Sequence, residues 1–330
     1  MFNAHIIGTG AAVPQRILFN KDLEKIVDTS DEWITRRTGI KERRIASKNA
    51  GESTTDMGTA ASRRALEMAG LSVDEVDTIM VATVTADHLF PSAACMIQKE
   101  LEANNAAAFD ISAGCSGFIY ALDQANNSIR LGQSKNVLVV GAERLSSVVN
   151  WKDRSTCVLL GDGAGAVVLQ GRDNAGGILS THIKSDGRSW ALLHSLEGND
   201  YLPETLHDTA TKPYILTMEG NRLFKQAVGS MANIAEQALE QNGLTRNDVD
   251  LVVPHQANLR ILQAVAEKLS MPMEKFFTNL HKYGNTSSGS IPLALDEAHR
   301  NGCIKNGDHI LLISFGAGLT WGAAVMRWTK

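Results

Sequence analysis

Ala65-Leu66-Glu67-Met68-Ala69-Gly70-Leu71-Ser72-Val73-Asp74-Glu75-Val76-Asp77 returns, 173 residues later, as Ala238-Leu239-Glu240-Gln241-Asn242-Gly243-Leu244-Thr245-Arg246-Asn247-Asp248-Val249-Asp250, with seven of 13 positions identical. In both copies a helical segment stops at a glycine, the residue that takes a left-handed cap without a Cβ clash. A short acidic turn follows, then an apolar strand (Thr78-Ile79-Met80-Val81; Leu251-Val252-Val253). The same offset lays Val137-Leu138-Val139-Val140 on Ile310-Leu311-Leu312-Ile313, and Ala121-Leu122 on Ala294-Leu295. Three windows in one register argue for duplication of a half of about 170 residues.

Within the first half, strand-like and helix-period segments alternate. The pattern predicts a strand near 4–9, a helix from Ser30 to Gly39, and a long helix over Thr54–Ala69. Beyond these it predicts a helix opened by Pro91, a strand over Ala107–Ile111 and a helix after Cys115. The strands are continuous apolar runs rather than alternating ones, which suits sheets covered on both faces. The pattern reads as a layered α/β fold, two similar sheets stacked around shared helices. The polar stretch Leu196–Pro213 reads as a surface loop.

Composition narrows the class. The chain has 330 residues, 44% hydrophobic and 21% charged, enough apolar material for a full core. Lys and Arg number 32 against 36 Asp and Glu, a net charge of −4, which argues against general nucleic-acid binding. The longest apolar runs are strand-length, far short of the ~18 residues of a membrane helix. The opening Met1–Gly8 lacks a basic leader, apolar run and cleavage site, so no signal peptide is expected. Cys95, Cys115, Cys157 and Cys303 show no CxxC spacing. No disulfide framework or metal site is expected, and a reducing cytoplasm is the simplest location.

Three segments carry chemistry. Phe109–Leu122 reads as a strand, a tight turn at Gly114-Cys115-Ser116-Gly117, and an apolar helix. Cys115 at that helix mouth is read in two ways: a nucleophile whose thiol pKa is lowered by the helix N-terminus, or a small buried cysteine in a glycine-rich turn. His255 lies just past the strand Leu251-Val252-Val253. Asn285 opens a turn of small polar residues, Gly284–Ser290. Taken singly, each is an ordinary loop or turn residue. The duplication changes this: the 173 offset maps Cys115 onto Ser288, three residues from Asn285, so equivalent loops of the two halves can converge. The loop Phe315-Gly316-Ala317-Gly318 would expose backbone N–H groups beside a ligand, or simply close a hairpin.

The set Ser112–Phe118, Pro254–Asn258, Gly284–Ser287 and Phe315–Gly318 resembles β-ketoacyl-acyl-carrier-protein synthase III, nearly end to end. Ile7–Gly10, Asp28–Trp33, Phe90–Cys95 and Thr320–Gly322 extend the resemblance. It implies a thiolase-like duplicated fold of two mixed sheets and helices in five layers (αβαβα). Residues 1–173 would form the half with the nucleophilic cysteine, and 174–330 the half with His and Asn.

The implied reaction is decarboxylative Claisen condensation of an acyl-CoA primer with malonyl-acyl carrier protein, starting type II fatty acid synthesis. Catalysis would fall to Cys115, His255 and Asn285, with the oxyanion held by the backbone N–H of Cys115 and Ala317. Trp33, Arg37, Arg154 and Asn258 would contact coenzyme A, a substrate rather than a cofactor. Gln256, Ala257, Asn258, Leu259 and Arg260 would meet the carrier protein, with Lys225 and Lys268 nearby. Leu160 would line the primer pocket, and Phe90 would reach into a neighbouring subunit's pocket, implying a homodimer. Three departures stand out: Leu160 where acetyl-selective members often carry an aromatic, Glu267 where a basic residue is common, and Ala317 for a frequent glycine.

Among rivals, a thiolase needs a second cysteine in the loop at 315–318, and two-histidine ketoacyl synthases need His at 285. A starter-condensing enzyme of a quinolone or polyketide pathway would share every catalytic residue. An NAD-dependent oxidoreductase could be argued from Gly8-Thr9-Gly10, but Val13 stands where the fingerprint needs Gly or Ala.

Overall fold

The computed structural model describes residues 2–47, 50–196 and 215–329. The first half contains β1 (Asn3–Ala12), β2 (Ile17–Phe19), α1 (Asn20–Leu23), α2 (Asp31–Thr38), β3 (Glu42–Arg44), α3 (Thr54–Ala69) and β4 (Thr78–Ala82). It continues with α4 (Ala93–Leu101), β5 (Ala107–Ile111), α5 (Gly117–Arg130), β6 (Asn136–Arg144), α6 (Arg154–Cys157) and β7 (Asp162–Arg172). The second contains β8 (Gly177–Ser185), β9 (Leu193–Leu196), β10 (Ile215–Met218), α7 (Gly220–Gln241) and β11 (Leu251–Pro254). It ends with α8 (Leu259–Lys268), α9 (Leu280–Tyr283), α10 (Ser290–Arg300), β12 (His309–Gly316) and β13 (Thr320–Arg327). From the polar stretch read as a surface loop, residues 197–213 lie outside the described residues.

Strand β6 shows why the apolar runs are continuous. Val137 and Val139 face one helical layer, while Leu138 and Val140 face another. Successive side chains point to opposite faces, so a sheet covered on both sides needs apolar residues at every position. The first sheet has the order β1-β7-β6-β4-β5 and the second β8-β13-β12-β11. Both are mixed: β4 pairs parallel with β5 and β6, as β11 does with β12, and the remaining β1–β7, β6–β7, β12–β13 and β13–β8 pairs are antiparallel.

Five layers result. Helices α5 and α10 lie between the sheets, with Ile119, Leu122, Ile291 and Leu295 packed among β-strand residues of both. Helices α3 and α4 cover the outer face of the first sheet, and α7 and α8 that of the second. β4 and β11 begin at 78 and 251, β6 and β12 at 136 and 309, each pair 173 apart.

The halves differ where the site is built. Only three residues join β12 to β13, whereas residues 145–161, with α6, join β6 to β7. That long connection forms one wall of the central cavity. β5 has no full counterpart among the described strands; Val252 makes only an isolated bridge to Phe276. β5 is an edge strand, and its Phe109 is exposed rather than covered.

Helix boundaries follow local chemistry. Ser30 caps α2 by accepting from Trp33 N, and Gly39 ends it in the left-handed region. The helix expected to open at Pro91 begins at Ala93 instead. Ser92 accepts from Cys95 N, and the Asp110 carboxylate accepts from Ala93 N and Ala94 N at 2.8 Å, so the first free N–H groups lie beyond the proline. Gly8 and Gly10 sit against α3, where a methyl on Gly8 would lie 2.1 Å from Ala65 O. They serve close strand–helix packing, which removes the motif behind the oxidoreductase reading.

Candidate active site

Cys115 follows β5 in a 3-10 turn, Gly114–Ser116, that leads into α5. Gly114 is left-handed (φ 54°) and lies against the backbone of Ala317. Two bonds tie this turn to the β12–β13 hairpin: Thr320 Oγ1 donates to Ala113 O (2.7 Å), and Ser116 Oγ donates to Thr320 O (3.1 Å). Gly316 fits so tightly that a methyl there would lie 2.5 Å from Cys115 N and 2.9 Å from its Cβ. The glycine loop is therefore both a hairpin closure and a wall of the site.

His255 comes directly after β11. Its backbone N–H donates to Ile313 O (2.8 Å), and its Nδ1 lies 2.7 Å from Ser290 Oγ. Ser290 is the first residue of α10. Asn285 is clasped through its backbone: its N–H donates to Leu159 O (2.8 Å), and its carbonyl accepts from Gly161 N (2.9 Å). Its side-chain Oδ1 accepts from Ser287 N (2.8 Å), which orients the amide. Cys115, His255, Asn285 and Ala317 all line one cavity of about 460 Å³. Apolar residues form most of the remaining wall, among them Val84, Leu160, Leu223 and Ile261.

The expected lowering of the Cys115 pKa is not what the site produces. Burial pushes the thiol up to about 11, opposed by the Ser287 hydroxyl and reinforced by the nearby Glu143 carboxylate. Cys115 lines the cavity and is partly accessible as a residue, yet its thiol lies deep in the molecule, where a thiolate loses its hydration. The helix mouth does not overcome that desolvation. Burial likewise pulls His255 down to about 4, so its imidazole is neutral at pH 7.

Other candidates fall into three groups. Leu160 and Asn258 line the cavity, and so does Ala257, expected to meet the carrier protein instead. Asn258 also caps α8, accepting from Arg260 N (2.9 Å). Trp33, Arg37 and Arg154 come together away from Cys115, with the two guanidinium carbons 5.7 and 5.3 Å from the indole centroid. Phe90 does not line its own chain's cavity; it is 82% exposed beside Leu89 at 85%.

The expected carrier-protein segment needs correction. Gln256 is 1% exposed, because its side chain is spent on backbone: it donates to Pro254 O and Phe277 O and accepts from Asn279 N and Leu280 N. Leu259 packs half-buried against Gly39 and the apolar cluster of Ile40, Leu262 and Leu280. Of Gln256–Arg260, Arg260 is the one exposed residue, its guanidinium 5.9 Å from the Phe224 centroid.

Several supporting residues escaped the sequence reading. Ser290 sits on His255 and Ser287 on Asn285, and the Ser287 hydroxyl also acts to lower the Cys115 pKa. Arg43 is fully buried and donates to Val158 O (2.8 Å), bracing the wall that carries Leu160. Glu143 is also fully buried. A carboxylate directly after the apolar run Val137–Ala142 was its available signal.

A cysteine in a duplicated five-layer scaffold, facing an imidazole and an amide across an apolar cavity, defines a thiolase-fold condensing enzyme. Residues 109–187 match the family model for 3-oxoacyl-[acyl-carrier-protein] synthase III, and residues 239–328 match the model for its C-terminal part. A β-ketoacyl-[acyl-carrier-protein] synthase III of Caldanaerobacter subterraneus subsp. tengcongensis is 52% identical over 328 residues, covering 99% of this chain and 98% of the relative. The crystal structure of 3-oxoacyl-[acyl-carrier-protein] synthase III from Aquifex aeolicus, also 52% identical, superposes with a TM-score of 0.91 over 98% of this chain and 100% of that one. A priming β-ketosynthase from the R1128 polyketide pathway is 39% identical with a TM-score of 0.93, covering 99% of this chain and 97% of that one. The chain belongs to the 3-oxoacyl-[acyl-carrier-protein] synthase III family.

Two outcomes follow from the geometry. Gly316→Ala forces the Cys115 backbone aside; iodoacetamide labelling of Cys115 should slow at least tenfold, with stability reduced by about 1–3 kcal/mol in urea titration. Because His255 titrates near 4 when folded and near 6.5 when unfolded, its contribution is present above pH 6.5 and lost as pH falls toward 4. That loss should be on the order of 2–4 kcal/mol, and His255→Asn should flatten this part of the stability curve.

Proposed function

We propose that this chain transfers an acyl primer from coenzyme A to Cys115 and condenses it with malonyl-acyl carrier protein, giving 3-oxoacyl-acyl carrier protein. One observation carries the reading: Cys115, His255 and Asn285 line the same cavity, with Ala317 beside them. Family membership supplies the reaction type.

In the first step the Cys115 sulfur attacks the thioester carbonyl, and coenzyme A leaves. Backbone N–H groups of Cys115 and Ala317 hold the oxyanion; such a donor is typically worth ~3–4 kcal/mol. In the second step His255 and Asn285 donate to the malonyl thioester oxygen. Loss of carbon dioxide leaves an enolate, whose carbon attacks the acyl group on Cys115. A neutral imidazole suits this role, because it donates to charge that develops only in the transition state. Ser290 Oγ, lying within 3.4 Å of the Gln256 N–H that donates to it, can donate its own proton to His255 Nδ1 and so leave the ring proton on Nε2.

The Asn285 amide supports the same step. Ser287 N–H engages its oxygen, which directs the amide N–H₂ elsewhere. Trp33, Arg37 and Arg154 suit the nucleotide of coenzyme A, and Asn258 and Ala257 the pantetheine. Coenzyme A enters as substrate and departs each turnover, so the reading assigns no resident cofactor. Exposed Arg260, Lys225 and Lys268 favour an acidic carrier protein. Exposed Leu89 and Phe90, with Phe109 on the edge strand, favour a homodimer, since apolar side chains so exposed gain by being covered.

The duplicated halves are assigned to 1–173 and 174–330, and the location to the cytoplasm. The described residues contain no helix long and apolar enough to cross a membrane. A starter-condensing role in polyketide synthesis is the second reading, favoured by the likeness to the R1128 enzyme. The 52% identity to synthases III favours fatty acid initiation.

Incubation with acyl-CoA should add one acyl group, mapped to Cys115 by peptide mass; an unmodified protein with a competent donor would sink the reading. His255→Ala and Asn285→Ala should retain acylation while losing malonyl decarboxylation at least a hundredfold. Equal loss of both half-reactions would refute that division of labour. Leu160→Phe should shift the kcat/KM ratio toward acetyl-CoA at the expense of longer primers, and an unchanged ratio would remove Leu160 from specificity.

A further inference from the structure

Glu143, next to last in β6, is fully buried, yet five side-chain and backbone donors converge on it. Oε2 accepts from Thr83 Oγ1 (3.2 Å), Thr85 Oγ1 (2.5 Å) and Val84 N (3.1 Å). Oε1 accepts from Ser287 Oγ and Ser288 Oγ, each at 3.0 Å. The carboxylate thus joins the segment after β4 to the turn before α10. Ser287 and Cys115 both line the cavity, and the Ser287 hydroxyl is the side chain that opposes the upward shift of the Cys115 thiol. Ser287 is held in the left-handed region (φ 47°), a rare backbone for a residue with a side chain. The other non-glycine residues of that kind among the described residues, Glu102 and Ser270, follow the ends of α4 and α8; Ser287 alone of the three is in the cavity wall. Such local strain concentrates at functional sites.

We infer that Cys115, Ser287 and Glu143 form a proton relay, in which the thiol proton passes through the serine hydroxyl to the buried carboxylate as the sulfur attacks. The inference rests on Cys115 being the acyl carrier. The S–H proton moves to Ser287 Oγ while the Ser287 O–H proton moves to Glu143 Oε1. The sulfur electron pair forms the bond to the acyl carbon. Coenzyme A leaves as a thiolate and takes its proton from solvent. Glu143 keeps the relayed proton through the acyl-enzyme stage. When condensation expels the Cys115 thiolate, the proton returns along the same path, and thiol and carboxylate are restored.

The relay answers the difficulty that burial creates. A thiol held near 11 supplies almost no thiolate at pH 7, so the sulfur needs a base during attack rather than before it. Burial also raises the Glu143 carboxyl, narrowing the gap between donor and acceptor. The groups facing Glu143 are Thr83, Val84 and Thr85, Ser287 and Ser288, and Cys115; among these only Cys115 titrates. His255, in the same cavity, is held neutral.

Charge and relay predict opposite signs for one variant. If Glu143 acted only as a negative charge beside the sulfur, Glu143→Gln would lower the thiol pKa and speed alkylation. The relay predicts that it slows. Iodoacetamide labelling of the folded full chain, read at Cys115 by peptide mass, probes the sulfur without any acyl donor. At pH 7, Glu143→Gln and Ser287→Ala should each label at least tenfold more slowly than the parent. In both, the rate should then climb about tenfold per pH unit between 7 and 9, as a free buried thiol titrates, while the parent rises less steeply. Ser287→Ala leaves Glu143 its other donors, so it tests the relay if the Gln variant does not fold. Unchanged or faster labelling, or the parent pH slope retained in folded variants, overturns the relay. Acyl transfer to Cys115 in the parent is measured alongside, so loss of the relay and loss of the condensing function give different results.

Discussion

The structure depends on two backbone turns packing almost without side chains between them. The turn carrying Cys115 lies on the glycines of the β12–β13 hairpin, and the turn carrying Ser288 lies on Gly141 of β6, where a methyl would come 2.3 Å from Ser288 O. These contacts interlock the halves, because each half's turn is seated on the other half's strand. The cavity exists where those turns meet. Its reacting groups stay in register because the backbone, rather than flexible side chains, sets the spacing.

That arrangement has an electrostatic consequence. Turns packed this closely exclude water, so every ionisable group among them is shifted toward its neutral form. The same burial makes Cys115 a poor thiolate, His255 a neutral donor and Glu143 a reluctant carboxylate. Neutral imidazole is an asset for holding a developing enolate. A protonated thiol is a liability unless its proton has somewhere to go. Ser287 and Glu143 provide a route built from the same two interlocked turns.

The long connection between β6 and β7 explains how one duplicated scaffold acquires an asymmetric site. It supplies Leu159 and Leu160, and Leu159 O receives the Asn285 N–H. The buried Arg43 braces this wall from behind through Val158 O and is itself lowered to about 10 by burial. The equivalent hairpin of the second half has only three linking residues, and the wall it contributes is mainly backbone, presented to Cys115.

Much of this was legible in the residues alone. The repeat at 173, the continuous apolar strands and the glycine caps determined a duplicated, layered α/β fold, because periodicity and chain reversal are local properties. Cys115, His255 and Asn285 could be picked out by motif and offset. The chain by itself could not say that Gln256 turns inward to satisfy backbone groups, or that Leu259 packs on Gly39. Nor could it say that burial outweighs the helix mouth at Cys115, or that Glu143 collects donors from two distant segments. Those outcomes depend on desolvation and on partners as far apart in the chain as Gly39 and Leu259, or Glu143 and Ser288, which only the packed tertiary structure brings together.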